Sequence, residues 1–138
     1  MKGRLHTAEH ILYEILLKKF NVESKATEFK PDSCRVDYVC LEDLRKHKDE
    51  IEREVNEAIE KDYEMISYSL PREEAAEVVD LHLVNPDFQE ITIYELKGFG
   101  KLACGGPHVK HTAEIGEFKI LKIEKKGKDK YSIVFGVA

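Results

Sequence analysis

The sequence predicts an α+β fold, a mostly antiparallel β-sheet packed against two main helices as a two-layer sandwich. Three observations carry that prediction. Two stretches repeat apolar residues at helical spacing, several short stretches alternate with a period of two, and the turn signals between them leave neither an internal repeat nor a linker. The 138 residues fit a single domain, 1–138. With 42% apolar and 36% charged residues, the chain suits a modest core under a dense ionic surface rather than a disordered segment.

The first helix is read over Thr7–Lys19, where Ala8, Ile11, Leu12, Ile15 and Leu16 form one stripe. His6, His10, Tyr13 and Leu17 cluster on the side away from it, so this helix is expected to be contacted on two sides. Ala26–Phe29 and Ser33–Val39 flank the turn signal Lys30-Pro31-Asp32 and read as a β-hairpin. In its second strand Cys34, Val36, Tyr38 and Cys40 share a face, which makes both cysteines small buried hydrophobes. Leu41–Lys61 reads as a long helix with Leu44, Ile51, Val55, Ala58 and Ile59 inward and His47 solvated outside.

Tyr63–Leu70 alternates as a strand, and Pro71 then opens a short helix whose Glu73 and Glu74 suit the positive end of the dipole. Glu90–Leu96 is the next strand. Gly98-Phe99-Gly100 and Cys104-Gly105-Gly106-Pro107-His108 bracket a loop, and Phe118–Glu124 and Lys130–Val137 form a final strand pair.

Four residues in this arrangement have metal-ligand chemistry. His6 and His10 lie four apart on a helix, so their imidazoles project from one face about a turn apart. Cys104 and His108 add a thiolate and a third imidazole in a loop that Gly105 and Gly106 allow to bend. Together they make a Cys-His₃ set appropriate to Zn²⁺. On spacing alone a buried loop thiol and packed or surface histidines remain the alternative. The same helix matches H-x-x-E-H across His6–His10, the inverted zincin pattern, in which Glu9 would be a general base. Those metallopeptidases need a far larger chain, so Glu9 is expected to be an ordinary helix residue.

His6-x₃-His10, Cys104-Gly105-Gly106-Pro107-His108-Val109 and Thr112-x-Glu114-Ile115-Gly116 resemble the editing domain, or second additional domain, of alanyl- and threonyl-tRNA synthetases. Val55-Asn56-Glu57-Ala58-Ile59 and Leu70-Pro71-Arg72-Glu73-Glu74-Ala75 extend the resemblance over essentially the whole chain. A chain of this length is similar to the short free-standing alanyl-tRNA editing proteins. The resemblance implies an ester hydrolase that acts in trans on mischarged tRNA, with His6, His10, Cys104 and His108 as Zn²⁺ ligands. The ion would polarise the carbonyl, orient the α-amino group, or lower the pKa of a water toward about 7. Four protein ligands leave no open tetrahedral position, so the group that activates water stays unassigned.

Pro107 stands where the alanyl type usually has Thr and the threonyl type has Pro, whereas Thr112-x-Glu114-Ile115-Gly116 follows the alanyl type. Leu102 occupies a position where both types commonly carry an acid. The expected substrate is serine on tRNA, first Ser-tRNA(Ala), with Ser-tRNA(Thr) as the threonyl-type alternative. A non-catalytic zinc-containing module that binds tRNA or a synthetase is the rival from another class. Thr7 and Thr112 are candidates for recognising the serine hydroxyl, or else helix-cap and loop-bonding residues.

Net charge −5 conceals a split: residues 1–96 hold 13 Lys and Arg against 23 acids, and residues 97–138 hold 9 Lys against 4. Lys101, Lys110, Lys119 and Lys122 are accordingly candidates for the phosphates of the acceptor stem, with surface solvation as the alternative. His111 is expected to be a solvated loop histidine. No window is apolar enough for a membrane span, and three cysteines at irregular spacing do not make a disulfide framework. A soluble cytoplasmic protein is expected, with no membrane partner.

Overall fold

The computed structural model describes residues 2–82 and 84–138. Helix α1 spans Lys2–Phe20, starting five residues before the predicted boundary. Propensity alone would leave that first turn frayed, since Gly3 costs about 1 kcal/mol relative to Ala. A tertiary contact anchors it instead: the Arg4 guanidinium donates to the Ile115 carbonyl from Nε at 2.9 Å and from Nη2 at 2.7 Å. The helix ends where Asn21 turns left-handed at φ 53° and returns its N–H to the Leu17 carbonyl.

Strands β1 (Glu23–Phe29) and β2 (Cys34–Val39) form the predicted hairpin, and Cys34, Val36 and Tyr38 point into the core. The helix predicted from Leu41 begins later. Asp43 accepts the Arg45 N–H, a 3₁₀ turn follows over Leu44–His47, and α2 runs from Lys48 to Glu60 with Ile51, Val55, Ala58 and Ile59 buried. His47 is not simply solvated. Its ring lies 4.8 Å from that of Phe20, and Nδ1 is 3.1 Å from a Glu50 carboxylate oxygen.

Strand β3 (Met65–Pro71) ends at the proline, which caps rather than opens α3 (Arg72–Val78). Strand β4 (Glu90–Leu96) matches its predicted limits. Strand β5 (Gly100–Ala103) lies inside what was expected to be loop, because the glycines that signal a turn also form its hairpin with β4. Gly98, at φ 81°, supplies the left-handed residue that this turn needs. Strands β6 (Phe118–Gly127) and β7 (Lys130–Val137) close the chain.

The α+β class and the antiparallel pairing are as predicted, but the described strands divide between two sheets. The larger has the order β1-β2-β7-β6 and the smaller β3-β4-β5. Helix α1 is contacted by both sheets. Its Leu5, Ala8, Ile11, Leu12 and Leu16 are buried in the core under the larger sheet. On its second contacted side Lys18 Nζ donates to the Phe99 carbonyl in the turn of the smaller sheet, at 3.1 Å. The smaller sheet buries Ile91 and Ile93 with Ala75 of α3 in a second cluster. No described helix is long and apolar enough to cross a membrane.

Asn56 joins α2 to the larger sheet. Its Oδ1 accepts the Phe118 N–H at 2.8 Å and its Nδ2 donates to the Phe118 carbonyl at 2.9 Å. Asn56→Ala leaves both groups of a fully buried residue unpaired, so urea unfolding should show a loss of about 1–3 kcal/mol. A midpoint equal to that of the unsubstituted protein would show that β6 is held by apolar packing alone.

Candidate metal centre

Between β5 and the 3₁₀ turn Thr112–Ile115, residues 104–111 form a loop that lies on the first turns of α1. Both of its ends are pinned. Cys104 N–H bonds the Thr92 carbonyl of β4, while Met65 N–H bonds the Lys110 carbonyl and Thr112 N–H the Tyr63 carbonyl. Between these anchors the chain brings His6, His10, Cys104 and His108 together, one ligand-capable atom from each within 4.8 Å of the others.

The hydrogen bonds fix which atoms face inward. His6 Nδ1 lies 3.2 Å from the Pro107 carbonyl, which can only accept, so Nδ1 carries the proton and Nε2 keeps its lone pair. That Nε2 is 3.0 Å from Cys104 Sγ. Thr7 does the same for His108. Its hydroxyl donates to the Gly3 carbonyl at 2.9 Å, so it must accept from His108 Nδ1 at 3.0 Å and from the Val109 N–H at 3.1 Å. His108 Nε2 is left buried, with no hydrogen-bond partner. An orphaned nitrogen beside a thiol and two imidazoles fits a soft divalent ion such as Zn²⁺.

Charge follows the same logic. Burial lowers the pKa of His10 far below its usual value, and the neighbouring His108 and His6 lower it further. His108 falls to about 3 by burial and by its proximity to His6. Burial also lowers His6, although its bond to Pro107 acts in the opposite direction. All three imidazoles are neutral at pH 7, the state a metal requires. Burial raises the Cys104 thiol, so an arriving cation would displace its proton.

Gly106 is needed for space, not for backbone freedom. A Cβ there would run into the His6 ring, whereas Gly105 has open space around its Cα. Neither adopts positive φ, so the bending role expected of the pair falls away.

A cavity of about 190 Å³ opens beside the four residues, lined in part by Glu9, Tyr13, Ser24, Thr27 and Leu102. Glu9 is not an ordinary surface position of the helix: it is buried, and burial raises its carboxyl pKa to about 7. Ser24 and Thr27 escaped the sequence reading because they lie three apart on a strand. An irregularity in the β1–β2 register between Ser24 and Ala26 resets the alternation and turns both toward the cavity. A larger cavity of about 460 Å³ shares Val84, Ala103 and Cys104 with the first and is walled by Phe88, Ile91 and Thr92.

The two threonines expected to meet a substrate hydroxyl have other work. Thr7 has its proton and both lone pairs engaged within the protein. Thr112, fully buried, accepts the Tyr63 N–H at 2.9 Å and donates toward the Ile59 carbonyl at 3.1 Å. These are the cap-like and loop-bonding roles held open for them. Among the basic candidates, all exposed, Lys101 lines a small crevice beside His10 and Lys110 follows His108 by two residues. Lys119 and Lys122 lie on β6 in the other sheet, with Lys122 paired to Glu124 at 2.7 Å. His111 is exposed, 3.9 Å from an Asp62 carboxylate oxygen.

Comparison with known proteins adds an independent line. Residues 91–131 match the family described as the threonyl and alanyl tRNA synthetase second additional domain. The chain is 39% identical over 141 residues to the alanyl-tRNA editing protein AlaX-M of Saccharolobus solfataricus, covering 97% of this chain and 58% of the relative. It is 29% identical to the AlaX-M of Methanosarcina mazei, covering 97% and 55%. With the alanine–tRNA ligase of Treponema denticola it shares 32% identity over 85% of this chain and 20% of the ligase. The chain thus spans a little over half the length of these AlaX-M relatives.

Thr7→Val keeps the shape of the side chain and removes the acceptor that orients His108. Zn²⁺ affinity, read by competition with a chromophoric chelator, should fall about 10- to 100-fold with the helical circular dichroism retained. Undiminished affinity would show that packing alone orients His108.

Proposed function

We propose that the chain is an editing hydrolase acting in trans on mischarged tRNA, first of all Ser-tRNA(Ala); the match of residues 91–131 to the second additional domain of threonyl and alanyl tRNA synthetases and the similarity to alanyl-tRNA editing proteins support this reading. The observation that carries the reading is the ligand cluster at the junction of two cavities of unequal size. An aminoacyl ester has the same division. Its acyl part is small and polar, its terminal adenosine is larger and has an aromatic base, and the bond to be cut lies between them.

In this reading the 190 Å³ cavity, smaller than the roughly 300–1,000 Å³ of drug-sized sites, takes the amino acid. The 460 Å³ cavity takes the adenosine, where the exposed Phe88 ring offers a face for the base. Hydrolysis adds a water oxygen to the ester carbonyl carbon and breaks the bond to the ribose oxygen. A proton returns to that oxygen, and amino acid and intact tRNA are released. His6, His10, Cys104 and His108 would hold Zn²⁺, which supplies Lewis-acid polarisation of a carbonyl when bound. Pro107 and Thr7 keep the lone pairs of His6 and His108 aimed inward. Ser24 and Thr27 replace Thr7 and Thr112 as the hydroxyl partners for serine, because they line the cavity.

A pocket shaped for a small cognate rejects a similar intruder poorly, which is why a separate hydrolytic site is useful. Lys101 and Lys110 flank the centre and are assigned to acceptor-stem phosphates, with Lys119 and Lys122 contributing at longer range. Such a substrate is met in the cytoplasm, and three free cysteines are compatible with that compartment.

The experiment is release of serine from Ser-tRNA(Ala) and, separately, from Ser-tRNA(Thr), with Ala-tRNA(Ala) and Thr-tRNA(Thr) as controls. We expect hydrolysis of the seryl ester on tRNA(Ala) with both controls spared. Cys104→Ala should lose metal and at least about 100-fold of the deacylation rate. Hydrolysis confined to Ser-tRNA(Thr) would reassign the chain to the threonyl type. Binding of tRNA by zinc-loaded protein with no ester cleaved would make it a tRNA-binding module.

A further inference from the structure

The cavity beside the ligand cluster is lined by a buried carboxyl group to which the proposed function gives no role. Glu9 retains only 8% of its surface, and no described residue donates a hydrogen bond to it. Its Oε2 lies 4.0 Å from His10 Nε2, yet the carboxylate is outside the group of four ligand-capable atoms. The other carboxylate lining this cavity, Asp80, is exposed and already paired with His82 at 2.9 Å. Tyr13, Ser24, Thr27, Leu102 and Ala103 supply uncharged walls. No Lys or Arg lines the cavity among the described residues, so Glu9 faces it without a countercharge.

A buried carboxylate with neither a cation nor a donor is costly to the folded chain, and a cationic ligand group entering the cavity offsets that cost. An aminoacyl ester brings one such group. Its α-ammonium is attached one carbon from the carbonyl, so an ester placed at the ligand cluster carries the charge into the adjoining space. A bound cation cannot be the countercharge of an ammonium, and of the two carboxylates lining the cavity Asp80 is already paired, which leaves Glu9.

We propose that Glu9 is a specificity residue that receives the α-ammonium of the esterified amino acid, so that the site selects esters with a free amino group over N-blocked ones. This rests on the editing reading and deepens it. The contact is a charge-assisted hydrogen bond to a carboxylate that is itself more than nine-tenths buried, a setting that strengthens such bonds. Peptidyl- or formyl-type esters, which lack the cation, would leave Glu9 unpaired and be disfavoured.

The test pairs binding with turnover. Zn²⁺-loaded protein and its Glu9→Gln variant are titrated with 3′-serylamido-3′-deoxyadenosine, which cannot be hydrolysed at the ester position, and with its N-acetyl derivative. Cleavage of Ser-tRNA(Ala) is measured in parallel. The unsubstituted protein should bind the free amine about 10- to 100-fold more tightly than the acetylated form. Glu9→Gln should abolish that preference by weakening only the free amine, at unchanged zinc content, and should raise KM more than it lowers kcat. Equal binding of the two analogues by the unsubstituted protein overturns the proposal while leaving the hydrolase reading intact. So does a Glu9→Gln variant that keeps the preference, or one that loses zinc. A preference for the free amine that depends on Glu9, without cleavage of Ser-tRNA(Ala), upholds the proposal and removes the hydrolase reading.

Discussion

The structure depends on one hydroxyl. Thr7 Oγ1 donates back to Gly3 and accepts from both His108 and Val109, joining the first turns of α1 to a loop about a hundred residues further along the chain. Sequence separation of this size makes the contact entropically expensive to form. The loop is therefore fixed at both ends, by the β4–β5 ladder before Cys104 and by the backbone bonds of Lys110 and Thr112 after His108. Together these attachments hold the loop where the thiol at a strand end and the His108 ring meet two imidazoles of the helix.

Much of this was legible in the residue pattern, and the misses have physical causes. The inward stripes of α1 and α2 were read directly, because apolar spacing and burial are the same property seen twice: Ile11, Leu12, Ile51 and Val55 are all fully buried. The β2 alternation was equally plain. Strand β5 was hidden because Gly98 and Gly100 weigh against strand locally, while its pairing with β4 is decided by the turn between them. The division into two sheets was out of reach, since periodicity specifies faces and not partners.

The centre shows the same boundary. His6, His10, Cys104 and His108 could be picked out because their chemistry is rare and their local spacing is informative. What completes the centre could not be read that way. Thr7 orients an imidazole that is remote in sequence, Ser24 and Thr27 share a wall only because the register slips, and Glu9 is buried by elements that pack over the helix from outside. Each of these depends on tertiary placement, and a charged or hydroxyl side chain in a helix or strand otherwise suggests solvent.

The two apolar clusters give the centre a mechanical role as well. His6 and His10 belong to α1 in the large core, while Cys104 follows β5 in the smaller sheet, whose own cluster rests on Ala75, Ile91 and Ile93. Leu96 of the same sheet is buried in the large core, so the two clusters already meet along β4. An ion held by all four side chains, as the proposed function has it, would add a second tie between the helix and the end of the smaller sheet. Its removal would then be felt in both clusters at once, as a loss of cooperativity between them and not only as a loss of chemistry.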